Sequence, residues 1–179
     1  MLDTSFNFIN KIKSFLFPFY KNKELKFIFS KFQEGFPKDT ITARFVGGCV
    51  RKHLTNDKVD DIDIATILSA EEIKEKFKNT DFKIVETGIK HGTVTLVCNN
   101  LKLEITTLRK DLETDGRHAE VEYINDWRID SERRDFTINA IYLDINGNIF
   151  DPQMGASDLK NNNIKFIGDP QKRIEEDYL

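Results

Sequence analysis

The spacing of apolar and polar residues changes several times along this chain, and each change marks an element. Phe6, Ile9, Ile12, Phe15, Leu16 and Phe19 recur at helical spacing with Lys11 and Lys13 between them, which predicts a helix packed against the rest of the domain. A second helix is read over 23–34. Residues 41–46 form a short buried strand, broken at once by Gly47-Gly48, and a helix over 49–54 follows. Within a strand over 59–65, Asp61 and Asp63 alternate with Ile62 and Ile64. A helix over 70–77 leads to strands over 82–86, 93–98 and 101–106. In the last of these, Leu101, Leu103 and Ile105 alternate with Lys102, Glu104 and Thr106. A strand over 140–144 and a helix starting near Pro170 complete the pattern. The fold class is therefore α/β (α+β), a mixed central sheet with flanking helices.

The alternation sets the chemistry. Asp61 and Asp63 leave the strand on one face while the isoleucines enter the core, and Glu104 leaves its own strand opposite the leucines. If the two strands are neighbours, Glu104 reaches the same cluster. Carboxylates held side by side repel, and a divalent cation is the usual remedy; hard oxygen ligands suit Mg²⁺. Calcium binding by an EF-hand loop is excluded, because counting from Asp57 puts Val59 at the third position and Ile62 where glycine is required.

Gly47-Gly48 stands between a strand and a helix, a turn that lets a ligand approach the backbone closely. Arg51 follows in the helix, where it can add a bidentate contact to a phosphate. The glycine spacing matches neither a P-loop nor a dinucleotide fingerprint. Farther on, Arg133, Arg134, Asp135 and Asn139 offer groups that could read a sugar hydroxyl and a triphosphate. A surface ion-pair cluster is the plainer reading of such a run.

Taken in order, the segments Gly-Gly-x-Val-Arg, Asp-x-Asp, Leu-Glu-Ile-Thr-Thr-Leu-Arg, Asp-Gly-Arg-His-Ala-Glu-Val-Glu, Arg-Arg-Asp-Phe-Thr-Ile-Asn-Ala and Arg-Ile-Glu-Glu-Asp-Tyr-Leu cover 41–179. This series resembles the class II nucleotidyltransferases of the DNA polymerase β superfamily, the CCA-adding tRNA nucleotidyltransferases and bacterial poly(A) polymerases. The stretch 88–94 lacks the Gly-Arg-Arg-Phe-x-Leu-x-His segment of the poly(A) polymerases, and 114–121 followed by Asp126-Trp127 looks like the mobile loop of the CCA-adding side. The resemblance implies a polymerase β-like head that transfers CMP and AMP from CTP and ATP to the 3′ end of tRNA. Asp61 and Asp63 would hold two Mg²⁺ ions and Glu104 would position the attacking hydroxyl. Gly47, Gly48 and Arg51 would cradle the triphosphate. Arg134, Asp135 and Asn139 would contact ribose and phosphates, and Asp177 would belong to the base-reading Glu-Asp-x-x-Arg motif. A poly(A) polymerase head, or a remnant that binds nucleotide without transferring it, are the alternatives.

Two departures accompany the likeness. Lys52 stands where the family usually has aspartate, and Leu179 precedes the position of the templating arginine. The expected division is an N-terminal helical extension over 1–36, a head over 37–168 and the start of a neck helix over 169–179. The expectation is a truncated enzyme, or one half of a split enzyme whose partner chain supplies neck, body and tail.

Length and charge agree. At 179 residues the chain can bury a core as one domain. Its net charge of −3 excludes an evenly basic RNA-binding surface, although residues 1–52 carry ten Lys/Arg against four Asp/Glu. The two cysteines, Cys49 and Cys98, suggest free thiols in a reducing compartment, the cytoplasm or an organelle. No apolar run is long enough to span a membrane.

Overall fold

A computed structural model describes residues 18–88, 92–99, 101–112 and 121–176. The expected helix beginning at Phe6, the segment 114–120 and Asp177 lie outside the described residues, apart from Phe19, which opens a 3₁₀ turn at Phe19–Lys21.

Seven strands form one sheet in the order β3-β4-β5-β2-β1-β8-β9. They are β1 (Ala43–Val46), β2 (Ile62–Thr66), β3 (Lys83–Gly88), β4 (Thr93–Cys98), β5 (Leu101–Thr107), β8 (Tyr142–Leu143) and β9 (Ile149–Phe150). All neighbours run antiparallel except β2 and β5, which are parallel. A parallel pair needs a crossover, and the helix Ala70–Phe77 with the β3–β4 hairpin supplies it. A second, two-stranded sheet pairs β6 (Arg109–Asp111) with β7 (Val121–Tyr123).

Three helices cover one face of the large sheet: α1 (Lys23–Gln33), α2 (Gly48–Leu54) and α3 (Ala70–Phe77). Asn22 starts α1 by accepting from the Glu24 and Leu25 amides, and the helix buries Leu25, Ile28, Phe29 and Phe32. Ser69 and Glu72 form a reciprocal capping box at the start of α3. These side chains meet Phe45, Ile64, Leu96, Leu103 and Ile105 in one apolar cluster, where each large group contributes about 1.5–3 kcal/mol by leaving water. The mixed sheet with flanking helices is the architecture the alternation predicts.

Two strands and the stretch after β5 differ from the sequence expectation. The strand expected over 59–65 begins only at Ile62, because Asp60 is drawn into the loop by Lys58 at 2.8 Å and Lys52 at 3.6 Å. The strand expected over 140–144 shrinks to Tyr142–Leu143. Ala140 closes a 3₁₀ turn at Thr137–Asn139, and the Asp144 carboxylate accepts from the Asn146 and Asn148 amides at 2.8 Å to form a turn. The stretch after β5 contains elements that no periodicity announced: the β6–β7 hairpin, α4 (Trp127–Glu132) and α5 (Gly155–Lys160), before α6 (Pro170–Glu176).

Candidate active site

The site is built on the sheet face that turns away from α1, α2 and α3. Asp63 lies opposite Val46 of β1 on one side and opposite Glu104 of β5 on the other. Directly paired positions share a face, so the two carboxylates stand next to each other across the parallel pair. Asp61 sits one residue before β2 and is exposed, so strand alternation governs Asp63 and not Asp61. Its charge nevertheless acts on Asp63. Burial raises the Asp63 carboxyl above its ordinary value, the Glu104 charge adds to the rise, and the Arg134 guanidinium opposes it.

A half-buried carboxylate raised by its neighbours is the electrostatic situation that a divalent cation relieves. Among the described residues, no three Asp, Glu, His or Cys side chains converge into a ready-made cage. Glu104 is half exposed, with Lys102 at 3.2 Å from its carboxylate. A donor set of one or two carboxylates, completed by substrate oxygens, suits Mg²⁺ better than a cation that demands a full protein shell.

Gly47 closes the site on the β1 side. It caps α2 with φ 73° and ψ −138°, a backbone conformation open to glycine, and a Cβ there would lie 3.6 Å from Asp63 Oδ2. The turn therefore brings bare backbone against the carboxylate. Arg51, in α2, donates from Nη1 to Asn139 Oδ1. Asn139 in turn donates through Nδ2 to both oxygens of Asp135, at 3.0 and 3.1 Å, and Asp135 also accepts from the Phe136 amide at 2.7 Å. Arg51 from one predicted motif and Asp135 and Asn139 from another thus form one relay that fixes the arginine. Lys52 turns away to Asp60 and leaves this relay undisturbed.

Arg134 belongs to a second network. Its Nη2 donates to Asp130 Oδ2 at 3.3 Å and its Nε to the Tyr142 hydroxyl at 3.2 Å. Arg133 donates from Nε to Asp130 Oδ1 at 2.9 Å. Burial works to raise the Asp130 carboxyl, but Arg134, Arg133 and the Tyr142 hydroxyl overcome it and hold it below its ordinary value. Burial pushes the Tyr142 hydroxyl up, so it stays protonated. Sequence reasoning passed over Asp130 and Tyr142. The spacing Asp130-x-x-Arg133-Arg134, at i, i+3 and i+4 on a helix, was a usable signal for the first.

The seven-stranded mixed sheet with its flanking helices is that of a nucleotidyltransferase head. The family described as "Poly A polymerase head domain" matches residues 43–165. The chain belongs to this family. CCA tRNA nucleotidyltransferase 1, mitochondrial, of Danio rerio is 42% identical over 164 residues, covering 89% of this chain and 38% of that protein. Its Homo sapiens counterpart is 46% identical over 147 residues, covering 82% and 34%. Among solved structures, the Bacillus stearothermophilus CCA-adding enzyme in complex with CTP superposes with a TM-score of 0.73 at 33% identity, covering 88% of this chain and 36% of that one. The chain spans little more than a third of the length of these relatives.

Proposed function

We propose that this chain is the catalytic head of a CCA-adding tRNA nucleotidyltransferase, which transfers CMP and AMP from CTP and ATP to the 3′ end of tRNA. The observation that carries the reading is the in-register pairing of Asp63 with Glu104, beside a glycine turn, in a chain similar to CCA-adding enzymes.

In this reading Asp63 and Asp61 hold Mg²⁺, which when bound supplies positive charge to the triphosphate and lowers the pKa of the terminal RNA hydroxyl. Glu104, beside Asp63, orients that hydroxyl. The bare backbone of Gly47 and Gly48 admits the phosphates, and Arg51 meets them in an orientation set by Asn139 and Asp135. Arg134 adds a second positive group close to the acids, so developing charge is met by fixed donors. Asp135 and Asn139 also offer the acceptor and donor groups that would bond the hydroxyls of a ribose. Base choice would need Asp177 together with the arginine of its motif, which, like the grip on tRNA, would come from segments beyond this third, in cis or from a second chain. The two free thiols, Cys49 and Cys98, suit a reducing compartment, the cytoplasm or an organelle interior. Among the described residues no helix is long and apolar enough to cross a membrane.

The test is nucleotide incorporation into tRNA lacking its CCA end, with the head joined to neck, body and tail. Ordered addition of C, C and A, abolished by Asp63→Ala, is the expected result. Long A-tracts would instead identify a poly(A) polymerase, and no Mg²⁺-dependent nucleotide binding by the head would overturn the site.

A further inference from the structure

Asp130 has no place in the chemistry described above, yet it is the most heavily bonded carboxylate among the described residues. It is fully buried, on α4. Its Oδ2 accepts from the Tyr142 hydroxyl at 2.7 Å and from Arg134 Nη2 at 3.3 Å. Its Oδ1 accepts from Arg133 Nε at 2.9 Å and from the Arg109 amide at 3.2 Å, and Arg133 Nη2 stands in ion-pair contact at 2.9 Å. The Tyr142 hydroxyl closes a triangle, accepting from Arg134 Nε while donating to Asp130. Two oxygens thus serve four donors, and two of the three residues that donate from side chains are cations.

The position of Arg134 gives this arrangement a consequence. Its side chain is 16% exposed, and its charge acts on Asp63. Tyr142, whose hydroxyl accepts from Arg134 Nε, lies opposite Val46, and Val46 lies opposite Asp63, so Asp130 holds the guanidinium beside a tyrosine that shares its sheet face with Asp63. An arginine without its buried partner seeks the nearest remaining anion, because an uncompensated charge in a dry environment is costly. Asp63 and Glu104, paired on the sheet face that also carries Tyr142, offer one. A guanidinium drawn onto Asp63 would occupy the oxygens that a cation needs.

We propose that Asp130 is a positioning residue that holds Arg134 back from Asp63, so that Asp63 stays open to a divalent cation while the outward face of the arginine stays open to phosphate. The proposal rests on the metal-dependent reading above and deepens it: metal access is set by a carboxylate that does not touch the metal. Tyr142 is the second half of the restraint, since it grips the same guanidinium through Nε.

The experiment is a titration with Mn²⁺ alone, followed by paramagnetic broadening of the amide signals of residues 47 and 63. In the parent chain these signals should broaden, and Asp63→Ala should remove the effect. Asp130→Asn should weaken Mn²⁺ binding by about 10-fold or more, the range seen when groups that orient a metal ligand are lost. Tyr142→Phe, which keeps the buried ring, should weaken it by a smaller factor. Removing the arginine as well, in Asp130→Asn/Arg134→Gln, should restore Mn²⁺ affinity to the parent level or above. That rescue separates positioning from general damage, because a merely destabilised protein would not regain metal on losing a second buried group. Where Asp130→Asn does not fold, Tyr142→Phe against Tyr142→Phe/Arg134→Gln decides the matter in the same way. Parent-like Mn²⁺ affinity in the single variants, or no rescue in the doubles, overturns the role of Asp130 alone. No Mn²⁺ effect in the parent overturns the metal reading itself.

Discussion

Met154 and Gly155 are neighbours whose exchange should move stability in opposite directions. Gly155 is the buried first residue of α5, and its amide donates to Asp151 Oδ1 at 2.8 Å. A Cβ at this position would lie 2.0 Å from the Thr137 carbonyl oxygen, 2.6 Å from its carbon and 2.9 Å from Ile141 Cγ1. Ordinary contact begins at 3.4 Å, so Gly155→Ala forces the helix and the Thr137–Asn139 turn apart by about 1.4 Å. The obstacle is backbone, which cannot swing aside as a side chain can. The turn is also tied to α5 by the Thr137 hydroxyl, which donates to Asp158 at 2.8 Å. Overpacking typically costs 1–3 kcal/mol, and a clash with backbone belongs at the upper end, about 3 kcal/mol. For a chain of this size that lowers Tm by roughly 6–12 °C. The same displacement moves Asn139 and with it the anchor of Arg51, so affinity for Mg·CTP should fall beyond what instability explains.

Met154 presents the opposite case. It adopts φ 60° and ψ 26° and is 67% exposed, so its side chain gains little from burial while its backbone is held in the left-handed region. That conformation costs a non-glycine residue about 1–2 kcal/mol, and glycine returns some of this through its larger unfolded-state entropy. Met154→Gly should stabilise by about 0.5–1 kcal/mol. Urea unfolding of the two variants, with Mg·CTP binding measured on the folded proteins, checks both signs. A Gly155→Ala variant within about 0.5 kcal/mol of the parent would refute the close-approach argument, since that is the range of surface substitutions that disturb nothing.

Three further outcomes are expected. Asp63 is raised in the folded state, so its stabilising contribution is complete below its ordinary value of 3.8 and is lost as pH climbs through the higher folded value. Metal-free Asp63→Asn should therefore melt higher than the parent at pH 7, by about 1.4 kcal/mol for each unit of the rise, and the advantage should vanish below the ordinary value; thermal melts from pH 3 to 8 check this. Asn139→Ala breaks the relay between Asp135 and Arg51 and should cost about 1–2 kcal/mol in urea unfolding, with weaker binding of CTP than of CMP relative to the parent. Asp135 and Asn139 should also make the site prefer ATP over its 2′-deoxy form, because a site built to bond a hydroxyl rejects an analogue lacking it; equal affinities by calorimetry would remove that role.

What could be read in advance divides along a physical line. α3 was legible to the residue because Ser69 and Glu72 cap it from within the sequence, and β4 because Thr93–Cys98 is bounded by turn residues. The juxtaposition of Asp63 and Glu104 followed from alternation once β2 and β5 were taken as neighbours, and their parallel register supplies it. Asp61 lies one residue before β2, so alternation within the strand covers Asp63 and leaves Asp61 to the preceding loop. The buried face of Arg133 and Arg134 could not be read as such. Arginine–aspartate runs are commonly solvated, and local sequence carries no statement of depth. What decides the difference is Tyr142, brought beside Asp130 by β8, with Trp127 edge-on at 5.7 Å and Phe150 at 6.0 Å sealing it from water. A tyrosine hydroxyl enclosed by aromatic rings needs a partner, and a buried carboxylate needs cations. Each requirement is met by the other residues of the set, none of which is dispensable to its neighbours. In a network with that property, removing any one member leaves a buried polar group short of a partner.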